Sequence, residues 1–164
     1  MKKFLLVVLA LALCAAAFAQ TAQDYYASGN EYYDKGDWDR AIADYSQALQ
    51  LNPNYAEAYF KRGSAYSYKR DYDKAIADYS QALRLDPNDA DAYNNRGKTY
   101  SYKGDFDKAI ADFSQAIRLN PNDANGYYNR CIAYVYNGDQ DKAIADLNRA
   151  ILLDPKYAVT YYNH

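Results

Sequence analysis

Apolar positions in this chain keep helical spacing within short blocks, and the blocks return at one fixed interval. Within residues 56–89 one stripe joins Tyr59, Gly63 and Tyr66, and a second joins Ile76, Tyr79, Ala82 and Leu83. Each block predicts an amphipathic helix. One phrase is written four times: KGDWDRAIADYSQALQLNPN from Lys35, KRDYDKAIADYSQALRLDPN from Lys69, KGDFDKAIADFSQAIRLNPN from Lys103 and NGDQDKAIADLNRAILLDPK from Asn137. Pro53, Pro87, Pro121 and Pro155 are spaced 34 residues apart. A period of this size signals supersecondary units stacked into a solenoid. The units run 22–55, 56–89, 90–123 and 124–157, and 158–164 begins a fifth.

Helix ends can be placed inside each unit. Gly36-Asp37, Gly104-Asp105 and Gly138-Asp139 separate the two blocks in three units. The glycine is predicted to end the first helix in the left-handed conformation, and the aspartate to cap the second. The second unit has Arg70-Asp71 there, so Arg70 is expected to carry backbone strain. Proline forbids continuation of each second helix, and Asn54, Asn88 and Asn122 are predicted to cap the next first helix. Every unit is thus a helical hairpin.

Gly29, Gly63, Gly97 and Cys131 share one place on the first helices, and Ala41, Ala75, Ala109 and Ala143 one place on the second. Small residues at matched places predict the closest approach of two helix axes. Cys131 is then a small apolar filler, with no Cys or His partner nearby in sequence. Tyr25, Tyr59, Tyr93 and Tyr127, with Tyr32, Tyr66, Tyr100 and Tyr134, form the inner stripe of the first helices. Trp38, Tyr72 and Phe106 open the second helices, and Tyr45, Tyr79, Phe113 and Leu147 continue them. A lone hairpin has one layer against which to bury such rings, so the neighbouring unit must supply the other.

These places match the tetratricopeptide repeat, W-x2-L-G-x2-Y followed by A-x3-F and P. The chain resembles it through Tyr25-Gly29-Tyr32-Ala41-Tyr45-Pro53, Tyr59-Gly63-Tyr66-Ala75-Tyr79-Pro87, Tyr93-Gly97-Tyr100-Ala109-Phe113-Pro121 and Tyr127-Cys131-Tyr134-Ala143-Leu147-Pro155. It departs where the family often has Leu: Ser28, Arg62, Arg96 and Arg130 stand there, and the arginine stems are expected to cover apolar surface. The resemblance implies an all-α, right-handed solenoid of stacked helix-turn-helix hairpins with the first helices along its concave side. It further implies a non-enzymatic protein-interaction scaffold that takes a peptide or helical segment of a partner in that groove. Helical spacing maps the groove to Tyr26, Asn30 and Tyr33; Phe60, Ser64 and Tyr68; Asn94, Lys98 and Tyr102; and Tyr128, Ile132 and Tyr136. The same mapping puts Gln23, Glu57, Asp91, Asn125 and Val135 on this face as well. Tyrosine offers broad contact at low entropic cost, and asparagine can hydrogen-bond a peptide backbone. Most of the 21 tyrosines nevertheless keep the packing beat, and Tyr68, Tyr102 and Tyr136 can also pack against the following unit. Some members of the family hold a chaperone's carboxylate tail with two Lys, two Asn and one Arg over three units. Here those places hold Tyr26, Asn30, Lys61, Asp91 and Asn95, and only Asn30 agrees.

Composition narrows the chemistry. Lys2 and Lys3 precede an apolar run, Phe4–Ala19, that ends Ala17-Phe18-Ala19, the pattern of a secretory signal peptide. Residues 1–19 are therefore expected to direct export to the periplasm or cell envelope. Acylation at Cys14 is a second reading, opposed by the bulk of Leu13. Losing Lys2 and Lys3 takes the formal net charge from −2 to −4, the wrong sign for a nucleic-acid partner. The only histidine is His164, and no phosphate loop, metal-ligand spacing or nucleophile with a base is present. Neither catalysis, nor a cofactor or metal, nor a membrane contact after leader removal is expected. Arg40 with Asp44, Lys74 with Asp78, Lys108 with Asp112 and Lys142 with Asp146 read as i,i+4 pairs on a solvated face. The fourth unit leaves Ile144, Leu147 and Ile151 thinly covered. A longer array, a second copy of the chain forming a homo-oligomer, or another partner would each cover them, the first two being favoured.

Overall fold

The computed structural model describes residues 20–158. The leader, with Cys14, and the fifth-unit residues 159–164 lie outside the described residues. Helices α1 (Ala22–Asp34), α2 (Trp38–Leu51), α3 (Ala56–Tyr68), α4 (Tyr72–Leu85), α5 (Ala90–Lys103), α6 (Phe106–Leu119), α7 (Ala124–Asn137) and α8 (Gln140–Leu153) follow one another, with no strand among the described residues. Successive pairs form hairpins, and each second helix packs on the first helix of the next unit. The result is an all-helical, right-handed solenoid.

The turn inside each hairpin follows from one backbone requirement. Gly36, Gly104 and Gly138 have φ of 74°, 80° and 87°, and Arg70, at 62°, is the non-glycine residue with positive φ among the described residues. The amides of Asp37, Asp71, Asp105 and Asp139 each donate to the carbonyl of the tyrosine five residues earlier at 2.9 Å. This closes the first helix and aims the chain back on itself. Asp37 and Asp105 then accept from the backbone amides of Arg40 and Lys108 at the start of the second helix.

Capping of the first helices falls one residue later than the asparagines suggest. Asp89 accepts from the Ala92 amide at 2.9 Å and Asp123 from the Asn125 amide at 3.0 Å. Thr21 and Asp24 form a reciprocal capping box, whereas Tyr55 gives α3 no side-chain cap. The backbone amides of Asn54 and Asn88 are instead taken by the side chains of Asn52 and Asp86, two residues back across the proline turn. These bonds engage only the backbone of the asparagines, which stand one position before the cap, and an aspartate at the cap adds negative charge at the positive end of the helix.

Hairpin closure depends on the missing side chain of glycine. A Cβ on Gly29 would lie 2.6 Å from the Tyr45 ring and one on Gly97 2.8 Å from the Phe113 ring. Among the described residues, Tyr45, Tyr79 and Phe113 are the largest fully buried side chains. In the fourth unit Cys131 replaces the glycine and the smaller Leu147 replaces the ring, so volume moves from one helix to the other. Cys131 is buried, and burial pushes its thiol up. That state disfavours thiolate chemistry and agrees with a filler role.

The i,i+4 ion pairs do not form. Arg40, Lys74, Lys108 and Lys142 pair three residues back with Asp37, Asp71, Asp105 and Asp139. Asp78, Asp112 and Asp146 are buried and belong to the hairpin interface. Asp78 accepts from Arg62 at 2.7 and 2.8 Å, Asp112 from Arg96 at the same distances, and Asp146 from Arg130 likewise. Each guanidinium also donates to a serine of the preceding unit: Ser46, Ser80 or Ser114, at 3.0, 2.9 and 2.9 Å. In the first unit Ser28 donates to Asp44 at 2.5 Å. These arginines do lie over the rings of Tyr59, Tyr93 and Tyr127, as their stems suggested, but their charge ties three helices together. The aspartates face inward because the hairpin's phase turns that side of the second helix toward the first.

Candidate functional site

An open trough of about 620 Å³ runs over the first three units. Tyr33 of α1 lines it, as do Phe60, Ser64, Ser67 and Tyr68 of α3, Arg70 of the turn, Tyr72 and Tyr79 of α4, and Asn95, Lys98 and Tyr102 of α5. Helical period places the α3 and α5 residues one turn apart on a single face. Tyr79 donates its hydroxyl hydrogen to Ser64 Oγ at 3.0 Å, and Ser64 donates to the Phe60 carbonyl, which fixes the floor. Tyr68 and Tyr102 stand above it, 63% and 67% exposed.

Those exposed rings are held from behind by the preceding unit rather than the following one. Tyr68 stacks on Trp38 with centroids 4.5 Å apart and planes 5° from parallel. Tyr102 stacks on Tyr72 at 5.7 Å, and Tyr136 on Phe106 at 5.2 Å. The aromatic residue that opens each second helix is therefore a platform for the tyrosine that ends the next first helix. Lys69 with Asp39, and Lys103 with Asp73, reinforce the same joints. Tyr33 packs edge-on to both Trp38 and Tyr68 and completes a three-ring wall.

Of the residues that helical spacing assigns to the groove, the trough brings together Tyr33, Phe60, Ser64, Tyr68, Lys98 and Tyr102. The others lie elsewhere. Tyr26 packs against Tyr45 and Tyr55, and Asn30 accepts the Tyr45 hydroxyl hydrogen at 2.8 Å, so both serve the first hairpin. Asn94 accepts from Asn129 at 2.9 Å, tying α5 to α7. Tyr128 packs on Tyr157 at 4.6 Å. Ile132, Val135 and Tyr136 are exposed on α7, beyond the trough. Helical spacing did not assign Ser67, Arg70, Tyr72, Tyr79 or Asn95 to the groove. The break in the Gly-Asp rule marked Arg70 in the sequence, whereas Tyr72 and Tyr79 are read there as packing residues because they do both.

Partial burial, with the Tyr68 hydroxyl nearby, pushes the Tyr33 phenol up to about 12. Burial likewise raises Tyr79 against the opposing hydrogen bond to Ser64. The trough is thus a wall of neutral hydroxyls and ring faces with Arg70 and Lys98 as its charges. Among the described residues, no helix is long and apolar enough to cross a membrane, and no three His, Cys, Asp or Glu side chains gather as a metal site.

Comparison with known proteins agrees with this architecture. Residues 29–69 and 68–104 match a family model described as TPR repeat, and residues 90–123 and 124–157 match the tetratricopeptide repeat model. A search of curated proteins finds no match. Among solved structures, MamA is 29% identical with a TM-score of 0.82, over 87% of this chain and 84% of that one. The Arabidopsis OM64 TPR domain is 25% identical with a TM-score of 0.67, over 68% of this chain and 93% of that one. The first TPR of Spaghetti (RPAP3), bound to the HSP90 peptide SRMEEVD, is 24% identical with a TM-score of 0.71, over 73% of this chain and 94% of that one. Four hairpins of one period, each closed at a small residue, and family matches that together span residues 29–157 lead to one conclusion: the chain belongs to the tetratricopeptide repeat family.

Proposed function

We propose that this protein is a binding scaffold of the cell envelope that seats an extended segment of a partner protein in the trough over units one to three. The observation that carries the reading is the pair Tyr68 and Tyr102, large rings that remain mostly exposed yet are held rigid by stacking. Pre-ordered aromatic surface loses little entropy on binding, which is the property a recognition site needs. Asn95, Ser67 and the tyrosine hydroxyls offer hydrogen bonds to a peptide backbone. The Spaghetti domain carries its peptide on the same fold.

Affinity capture from the native envelope with the wild type and with a Tyr68→Ala/Tyr102→Ala variant tests the reading. The variant is expected to lose its partner while its urea midpoint moves little, because both residues are mostly exposed in the fold. Undiminished capture, or a collapse in stability, would assign these rings to packing. The envelope rests on the leader-like start. N-terminal sequencing of the protein from its host is expected to begin at Gln20, and an intact Met1 would remove that part of the reading.

A second reading, a self-associating or structural segment of a larger assembly, draws on α8. Ile144 and Leu152 are 56% and 73% exposed on it, an apolar surface of the sort that marks interfaces. Light scattering across protein concentration decides it, and a constant monomer mass removes self-association.

A further inference from the structure

We infer that the trough selects a partner segment bearing an acidic side chain, and that Arg70 is the residue that reads it. The inference rests on the trough being the binding site and adds the chemistry of what binds. Every lysine and arginine in residues 20–158 has a carboxylate within ion-pair distance except Lys61, Arg70, Arg84, Lys98, Arg118 and Arg149. Three of these six gather at the trough. Arg70 and Lys98 line it, and Lys61 holds its ammonium 5.1 Å from the centre of the Tyr33 ring. Among the described residues no carboxylate lines it, although the chain as a whole is acidic. The neighbouring carboxylates are engaged elsewhere, Asp71 by Lys74 and Asp78 by Arg62, while Asp34 follows Tyr33 without lining the trough.

Arg70 sharpens the point. It occupies a left-handed position, φ 62°, that the other three units fill with glycine. An L-residue there is strained by roughly 1 kcal/mol. Its guanidinium forms no hydrogen bond or ion pair among the described residues, so nothing in the fold offsets the strain. Strain kept without a structural return points to function. A guanidinium can grip a carboxylate through two parallel hydrogen bonds, and Lys98 adds a second positive charge on the neighbouring helix. Tyr68 and Tyr102 then take the apolar residues beside the acidic one. The occupant is an acidic stretch within a partner protein.

The test uses fluorescence polarisation with pools of N-acetylated, C-amidated heptapeptides, each pool fixing Asp, Glu, Gln or Leu at one position. Blocked ends keep a terminal carboxylate out of the measurement. Asp or Glu pools are expected to bind about tenfold more tightly than the matching Gln pools at one position, the size of one charged hydrogen-bonded contact. Added salt weakens that preference. Arg70→Gly is expected to abolish it. Because that change relieves a strained turn, the variant stays folded, and circular dichroism verifies this. Lys98→Gln is expected to reduce the preference. Equal binding of Gln pools, a preference that survives Arg70→Gly, or a preference seen only with free C-terminal acids would overturn the inference. If uncharged pools bind and Tyr68→Ala abolishes their binding, the trough remains the site and the acidic preference falls. Silence from every pool would remove both.

Discussion

Replacing Asp112 with alanine attacks the third hairpin, where α5 meets α6, at a buried charge. The Asp112 side chain is 9% exposed and accepts both hydrogen bonds from Arg96, itself 19% exposed. Without the carboxylate, the guanidinium keeps only Ser80 and leaves two donors and a full charge in a nearly dry place. Breaking a buried pair from one side costs about 3–5 kcal/mol, and the residual exposure of Arg96 favours the lower end, about 3 kcal/mol. Replacing both partners by apolar residues is a different perturbation. Arg96→Met with Asp112→Leu removes the charge as well as its partner, and Ser80 still donates to the Ile76 carbonyl. That double variant is expected within about 1 kcal/mol of the wild type, which makes the two positions strongly coupled in a double-mutant cycle. Urea unfolding followed by circular dichroism and tyrosine fluorescence measures the cycle, while emission from Trp38 shows whether the first unit unfolds with the rest. A loss below about 1 kcal/mol for Asp112→Ala, or a double variant as unstable as the sum of the singles, would refute the account of these aspartates as members of an interface.

Arg70→Gly is expected to raise the urea midpoint by an amount equivalent to about 1 kcal/mol, and an unchanged or lower midpoint would contradict the strained turn. Gly97→Ala is expected to destabilise by about 1–3 kcal/mol through contact with the Phe113 ring, and adding Phe113→Leu should recover most of the loss in thermal melts, as Cys131 with Leu147 does in the fourth unit. Alkaline pH is expected to weaken the fold. Burial raises the phenols of Tyr45 and Tyr79, while an unfolded tyrosine titrates near pH 10. Above about pH 10 the unfolded chain releases protons that the folded chain keeps, so stability falls with rising pH until the folded phenols ionise. The slope is up to about 1.4 kcal/mol per pH unit for each such residue, and urea midpoints should show a shallower decline in Tyr79→Phe.

The hairpins were legible in the sequence because four copies vouch for one another. One proline or one Gly-Asp pair is a weak signal, but at a period of 34 residues it fixes helix ends and the close approach at Gly29, Gly63 and Gly97. Charge pairing was not legible in the same way. Lys74 and Asp78 sit at a spacing that suits an isolated helix, and only the rotation of α4 against α3 shows that Asp78 turns inward to Arg62. The candidate site was half legible for a related reason. Helical spacing finds Phe60, Ser64 and Tyr68 on one face, but it cannot tell that Asn30 is taken by Tyr45, or that Asn94 is taken by Asn129. Arg70 could be singled out because it breaks a rule its neighbours keep, though its place in the trough depends on where a turn lands relative to the next helix.

The recurring arginine joint bears on how such a chain can change length. Ser46, Arg62 and Asp78 are followed by Ser80, Arg96 and Asp112, then by Ser114, Arg130 and Asp146, all at the same spacing. Excising residues 90–123 would place Arg130 against Ser80 in the geometry Arg96 now has, so unequal recombination between gene copies could shorten or extend the array without creating a mismatched seam. Shortening of that kind would spare the second unit's singular turn at Arg70 but replace α5, and with it one wall of the trough.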